Sequence, residues 1–406
     1  MILKNKYDAI VIGAGPAGSS FAFHASRSGL RVLLVEKQRE IGHTILCAEG
    51  VSSEFLKLVK DKGHSRNFVA RYVYGGILTY NGKKIIEITL NEPGGAILER
   101  KIFDRYLAEL AIKAGSDILI NTKFIKAERE KGLVKLYLRS HGEDIVLSAP
   151  LLIGADGPAS SVSKSLGLFT PYDKKDDYFT VQVYAYCDEI KDNYLYFGIG
   201  DAIAPNGYAW IFPKGGGFAN VGVGIPGTRD GLDTYLKNFL KKHCSTYKIL
   251  GETYGVVPTK FHKRKIYDNN VLILGDAARL ADPLTGGGIA NAYISGIAAS
   301  EVASFAKKMG DYSRKALRLY EKKLKKWIFS DYMITLCAKI FYNALEKKEL
   351  ESFMYSLKDA IGHIEITPPL KPMSMLFRIL RKDPAFLFKF GKKGLYAAKE
   401  CLREFI

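Results

Sequence analysis

Three groups of residues in this 406-residue chain have the types and spacing to do chemistry. In Pro205-Asn206-Gly207-Tyr208-Ala209-Trp210-Ile211-Phe212-Pro213 the three rings stand at i, i+2 and i+4. On a strand they share one face, and the flanking prolines limit the ladder because neither can donate to it. Such a wall suits a long apolar substrate; the plain alternative is a strand that packs its rings into a core. The second group is Gly13-Ala14-Gly15-Pro16-Ala17-Gly18, with Glu36 18 residues beyond. Gly13 permits a tight turn, Gly15 lets the backbone approach a pyrophosphate, and Gly18 lets a helix pack close. The helix N-terminus then faces the phosphates, and Glu36 accepts from ribose hydroxyls while repelling a 2′-phosphate. The third group is Cys47; a single cysteine is more often a small buried hydrophobe than a reactive group. His43 and His64 lie nearby with no partner and read as structural or exposed.

The elements that must position these groups are legible in outline. Residues 7–12 and 31–35 read as buried strands around a helix at 16–28, a βαβ opening. Residues 71–90 alternate about Asn81-Gly82, a hairpin signal. A helix is expected near 103–115 and strands over 118–154. Short strands rich in Tyr, Phe and Val over 178–226 form an antiparallel sheet, a natural floor for a substrate cavity. Val271–Leu274 reads as another buried strand before a glycine-rich turn and a helix near 288–308. Residues 311–406 read as mainly helical, broken by Pro368-Pro369 and Pro372.

Composition narrows the class. With 47% hydrophobic and 25% charged residues the chain is globular. No apolar run is long enough for a spanning helix, and the N-terminal apolar run belongs to a strand and not to a secretory signal. Five scattered cysteines without a CxxC pair argue against a disulfide framework and against a zinc site, and fit a reducing cytosol. The formal charge is +18, and residues 301–406 hold 22 Lys or Arg against 12 Asp or Glu. No nucleic-acid module is visible, so nucleic acid is not an expected partner. Basic residues mixed with apolar ones in helix-like runs fit an anionic lipid surface better. The alternative is a lysine-coated thermophile surface, toward which the presence of only two glutamines, Gln38 and Gln182, leans.

Two distant segments choose between NAD and FAD. Gly154-Ala155-Asp156-Gly157 follows an apolar strand. Gly275-Asp276-Ala277-Ala278-Arg279 follows another, before Asp282-Pro283-Leu284-Thr285-Gly286-Gly287-Gly288-Ile289 opens a helix. In this order after GxGxxG they resemble the flavoprotein superfamily of p-hydroxybenzoate hydroxylase type, which implies FAD. There the glycine–aspartate segment contacts the ribityl chain, and the following helix N-terminus lies near the isoalloxazine and favours its anionic reduced form. Within that superfamily the chain resembles the geranylgeranyl reductases, of the archaeal type that saturates isoprenoid chains of ether lipids. The resemblance rests on Pro205, Tyr208, Trp210, Phe212 and Pro213, which fit the pattern PxxYxWxFP, and on Cys47-Ala48-Glu49-Gly50-Val51-Ser52.

The fold implied is α/β: a Rossmann-like FAD-binding domain with an inserted antiparallel β-sheet substrate domain and a C-terminal helical region. Its parts would be the FAD domain at 1–70, 101–170 and 266–310, the substrate sheet at 71–100 and 171–265, and helices at 311–406. By position, Ala17, Glu36, Cys47, Ala48, Gly50, Arg100, Phe124, Asp276, Gly288 and Ile289 would contact FAD beside Gly13, Gly15 and Gly18. Arg100 could neutralise the pyrophosphate; its alternative is a surface cation. Tyr208, Trp210 and Phe212 would bind substrate, and Tyr208, Trp210 and Cys47 would serve the chemistry.

The implied reaction delivers a proton to the less substituted alkene carbon and a hydride from the flavin to the tertiary one. Aromatic faces at Tyr208 and Trp210 would stabilise the cationic character; Tyr208, Cys47 and an ordered water are all candidate proton donors. An external donor, ferredoxin or a reduced nicotinamide, would supply electrons, at the cytoplasmic face of the membrane. Rival readings are a monooxygenase of an apolar substrate and a non-catalytic lipid-binding or electron-transfer flavoprotein. A halogenase would need WxWxIP where this chain has Tyr208 and Phe212.

Overall fold

The computed structural model describes residues 6–43, 47–60, 67–169, 171–172, 176–259, 265–361, 363–366 and 386–405. The break expected at Pro368-Pro369 and Pro372, and His64, lie outside the described residues; His43 is exposed. Two compact units form, one from residues 1–45, 100–172 and 258–332, the other from 46–99, 173–257 and 333–406.

The first unit is built on a six-stranded sheet. Its strands are, in spatial order, Tyr267–Asp268, Val271–Ile273, Leu151–Gly154, Ala9–Ile12, Val32–Val35 and Asp117–Leu119. All junctions but the first are parallel. Ala9–Ile12, Val32–Val35 and Leu151–Gly154 are buried at every residue, as a sheet covered on both faces requires. Helices Pro16–Arg27 and Ile289–Met309 meet where Gly296 lies against the first helix, since a Cβ there would come 2.6 Å from the Ala17 carbonyl oxygen. A meander of Thr122–Glu130, Leu133–Ser140 and Glu143–Ala149 turns at Lys131-Gly132 and His141-Gly142, all four residues at positive φ.

The second unit carries an eight-stranded sheet, ordered Lys248–Pro258, Asp177–Tyr186, Phe218–Pro226, Ala204–Gly215, Tyr194–Gly200, Gly75–Tyr80, Lys83–Leu90 and His363–Ile366. The Asn81-Gly82 hairpin forms as expected, with φ of 48° and 83°. Tyr194–Gly200 pairs in parallel with Gly75–Tyr80, and His363–Ile366 with Lys83–Leu90. The largely helical tail thus adds a strand to this sheet. Helix Leu232–His243 covers one sheet face through Leu236, Phe239 and Leu240 against Val181, Val183, Ile211, Val221 and Val223.

Two expectations need correction. Residues 46–70 group with the second unit, because strand Gly50–Ser52 pairs antiparallel with Gly95–Leu98, which also pairs with Val69–Val73. The cysteines are not all free: Cys187, just past one sheet strand, is disulfide-bonded to Cys244 at the end of the covering helix, with Cα atoms 6.0 Å apart. The strand-to-helix packing creates this proximity across 57 residues, and spacing in sequence carries no sign of it. Among the described residues no helix is long and apolar enough to cross a membrane.

Candidate functional site

In the first unit the three glycines of the GxGxxG turn are held to different ends. A Cβ on Gly13 (φ +103°) would lie 2.4 Å from the Ala155 carbonyl oxygen, and one on Gly18 2.0 Å from that of Gly13. One on Gly15 would meet nothing within 4 Å. The first and last glycines are therefore required by packing, while the middle one leaves open space at an N-terminus with no side-chain cap. Glu36 is fixed at the strand end: its Oε2 accepts from Ala14 N and its Oε1 from Gln38 N, each at 2.9 Å. Each oxygen keeps a lone pair for a further donor.

Phe124 is buried on the strand that starts beside Glu36, where Thr122 N donates to the Glu36 carbonyl at 2.9 Å. Ala17 lies under the second glycine turn, 3.1 Å from where a Cβ on Gly275 would stand. Asp276 in that turn meets the mouth of helix Ile289–Met309, since a Cβ on Gly288 would come 3.0 Å from its Oδ1, and Ile289 is buried behind it. Burial pushes the Asp276 carboxyl up, and the positive charge of Arg100 opposes this. Arg100 opens helix Arg100–Lys113 and is no surface cation: Nε and Nη2 donate to the two oxygens of Asp104, both at 2.8 Å. Asp156 of the Gly154-Ala155-Asp156-Gly157 loop is occupied locally, accepting from Ser160 Oγ at 2.7 Å and from the Ser161 and Val162 amides at 2.6 and 3.1 Å. An open glycine at one bare helix mouth, a pinned carboxylate and a second uncapped mouth at Gly288 fit an adenine dinucleotide with a flavin.

In the second unit strand Ala204–Gly215 sends Ala209 and Ile211 into the helix-covered core, and Tyr208, Trp210 and Phe212 to the other face. Trp210 is 7% exposed; Tyr208 and Phe212 are half-buried. Phe197 on the adjacent strand joins them, its ring centroid 6.0 Å from Tyr208 and 5.7 Å from Phe212, while Tyr208 and Trp210 are 5.6 Å apart. On the other side Tyr208 is in register with Gly224 and Trp210 with Gly222. A Cβ on Gly222 would stand 2.2 Å from Trp210 Cζ2, so the indole lies across the bare backbone of the neighbouring strand. Its Nε1 reaches Gln182 Oε1, one strand further on, at 3.2 Å.

Gln182 Nε2 in turn donates to the Cys47 carbonyl at 3.1 Å. The Cys47 segment is pinned again two residues later. Glu49, at φ 72°, accepts through Oε2 from Lys214 Nζ at 2.6 Å and from Asn220 Nδ2 at 2.7 Å. Lys214 also meets Glu99 Oε1 at 2.9 Å and the Leu98 carbonyl at 2.6 Å, with its side chain only 6% exposed. Asn220 donates to the Ala48 carbonyl at 3.4 Å, the Glu49 amide donates to Cys47 Sγ at 3.2 Å, and Gly50 comes so close to Phe212 that a Cβ would stand 2.7 Å from its ring. Cys47, Ala48, Gly50, Trp210 and Phe212 thus form one neighbourhood.

Comparison with known proteins follows these two regions. A family model described as the geranylgeranyl reductase catalytic domain matches residues 176–257, which contain the aromatic strand, and one described as an FAD binding domain matches residues 6–188. The digeranylgeranylglycerophospholipid reductase of Methanosarcina acetivorans is 39% identical, over 99% of this chain and 99% of that protein. The chain belongs to the digeranylgeranylglycerophospholipid reductase family. The Methanocaldococcus jannaschii digeranylgeranylglycerophospholipid reductase is 32% identical over 96% of this chain and 98% of its own length. A crystal structure of a geranylgeranyl bacteriochlorophyll reductase-like protein from Thermoplasma acidophilum superposes with a TM-score of 0.86 at 31% identity, covering 96% of this chain and 99% of that one. The flavin-dependent halogenase CmlS, at 17% identity and a TM-score of 0.69 over 95% of this chain and 72% of its own, shares the fold.

In this member of the digeranylgeranylglycerophospholipid reductase family, Gln182, Phe197, Lys214, Asn220, Gly222 and Gly224 belong to the site without a motif in the sequence to mark them. The one local signal was Gly222-Val223-Gly224, an alternation of glycine with valine that leaves one face of a strand bare. Gln182 stands out in the sequence only by the rarity of glutamine.

Proposed function

We propose that this chain is an FAD-dependent oxidoreductase that saturates the carbon–carbon double bonds of geranylgeranyl chains on archaeal ether-lipid precursors, in membrane phospholipid biosynthesis. The observation that carries the reading is near full-length similarity to digeranylgeranylglycerophospholipid reductases, with the catalytic-domain match falling on the Tyr208 sheet. Bound FAD, once reduced, supplies the electron pair. Gly15 would leave room for its pyrophosphate in the turn that Gly13 and Gly18 shape, Glu36 would hold its ribose, and Ala17 and Phe124 would also contact it. Asp276, Gly288, Ile289, Arg100, Cys47, Ala48 and Gly50 complete the cofactor contacts. Tyr208, Trp210 and Phe212 hold the isoprenoid chain by apolar contact and exclude water, and the faces of Tyr208 and Trp210 favour cationic character at the tertiary carbon. The candidate proton donors are Tyr208 Oη, Cys47 Sγ and an ordered water. Electrons come from an external donor, ferredoxin or a reduced nicotinamide, and the protein works as a peripheral protein on the cytoplasmic membrane face; its +18 charge supports that placement.

Anaerobic incubation of chemically reduced protein with digeranylgeranylglycerophospholipid, followed by mass spectrometry, tests the reading. A gain of two hydrogens per double bond is expected. Intact double bonds with reduced flavin present would refute it, and oxygen-dependent nicotinamide consumption would point instead to a monooxygenase.

A further inference from the structure

The C-terminal helix Phe386–Phe405 docks within the second unit by a single stripe. Phe390, Ala397 and Cys401 are buried, Phe390 packing against Phe341, Leu345, Phe353 and Leu357. Lys393 Nζ donates to the Ala344 carbonyl at 2.9 Å, and Cys401 Sγ to that of Met333 at 3.5 Å. At 100° per residue the opposite side of the helix carries Lys392, Leu395, Lys399 and Leu402, with Lys389, Tyr396 and Arg403 beside them. An ordinary surface helix is polar on that side. Here Leu395 is 74% exposed, Leu402 56% and Tyr396 51%. All four cations are exposed, and the Glu400 carboxylate is turned to Arg403.

We propose that this outward face, Leu395, Tyr396 and Leu402 framed by Lys389, Lys392, Lys399 and Arg403, seats the protein on an anionic lipid bilayer. The charge pattern selects that occupant. Two leucines one heptad apart are too narrow a ridge to close a protein interface, but they can sink to the acyl boundary while lysine stems reach back to the head groups. Lys392 and Lys399 are exposed at the centre of that face, with Lys389 and the Glu400-paired Arg403 at its edge, and this net positive charge complements phospholipid phosphates and would repel a second copy of the same face. A helix with both faces apolar but too charged to span is then explained: one face is for the protein, the other for the interface. The inference rests on the substrate being a membrane lipid, since docking gives that lipid a short path to the protein.

The test uses the full-length holoprotein and sedimentation with vesicles of phosphatidylcholine alone or mixed with phosphatidylglycerol. Wild type should bind the anionic vesicles, more weakly as salt rises. The pair Leu395→Ser/Leu402→Ser and, separately, Lys392→Glu/Lys399→Glu should each weaken binding at least about tenfold. Both should keep the wild-type flavin spectrum and the wild-type rate on detergent-dispersed substrate. Equal binding by wild type and both variants overturns the proposal, as does a change of oligomeric state in the variants without loss of vesicle binding. Absence of reduction by wild type in detergent would sink the functional reading and leave the vesicle result standing.

Discussion

The indole of Trp210 is tied to Gln182 across the bare backbone of Gly222, Nε1 to Oε1 at 3.2 Å, and the same amide holds the Cys47 carbonyl at 3.1 Å. One side chain thus sets the attitude of an aromatic ring and the path of the Cys47 segment. Gln182→Leu keeps the bulk and removes both bonds, leaving an indole N–H unsatisfied at a cost of about 1–3 kcal/mol. We expect kcat to fall about tenfold with the fold retained. In a Trp327→Phe background, where Trp210 is the remaining indole, its emission should shift. Unchanged emission and kcat would show that the bond sets nothing.

Gly222→Ala places a methyl group where the Trp210 ring lies. Overpacking of this kind costs about 1–3 kcal/mol, so thermal stability and alkene reduction should both drop. Adding Trp210→Phe should restore stability without restoring the rate. Recovery of both would mean that the indole matters only as filler.

Lys214 and Glu49, with side chains 6% and 7% exposed, form a buried pair. Lys214→Met leaves Glu49 without its cation and should cost about 3–5 kcal/mol, as broken buried pairs do. Lys214→Met with Glu49→Gln should recover much of that in urea unfolding, and no recovery in the double variant would contradict the pairing argument.

The Cys187–Cys244 bond closes 57 residues of chain. Loop-closure entropy for that length gives about 4 kcal/mol. Denaturation with and without reductant should differ by a comparable amount, and Cys187→Ser should be indifferent to reductant.

Glu87 carries a pH signature. Hydrogen bonds from Lys84 and then Lys191 lower its carboxyl from 4.5 to about 2. A carboxylate depressed in the folded state contributes stability above the unfolded value, and that contribution is lost as pH falls from about 4.5 toward about 2. Both lysines are more than half exposed, which screens the pair and limits its worth to about 1 kcal/mol. Glu87→Gln should flatten the acid limb of the stability curve by that amount. An unchanged acid limb would place the loss of stability elsewhere.

Local physics wrote much of this molecule into its sequence. Four consecutive apolar residues before a glycine turn make a buried parallel strand, Asn81-Gly82 at positive φ makes a hairpin, and alternation at 208, 210 and 212 puts three rings on one face. Each depends on a few consecutive residues, and so does the pinning of Glu36 by amides close to it in the chain. What the rings face, and what holds them, depends on strand order and register. Gly222 and Gly224 count only because register sets them beside Trp210 and Tyr208, and Gln182 because it stands one strand further on. Cys187 met Cys244, and His363–Ile366 joined a sheet whose other strands lie far back in the chain, through chain closure over separations that no period or spacing encodes. The residue types that could do chemistry were therefore present in the sequence, while their partners were decided only by the tertiary fold.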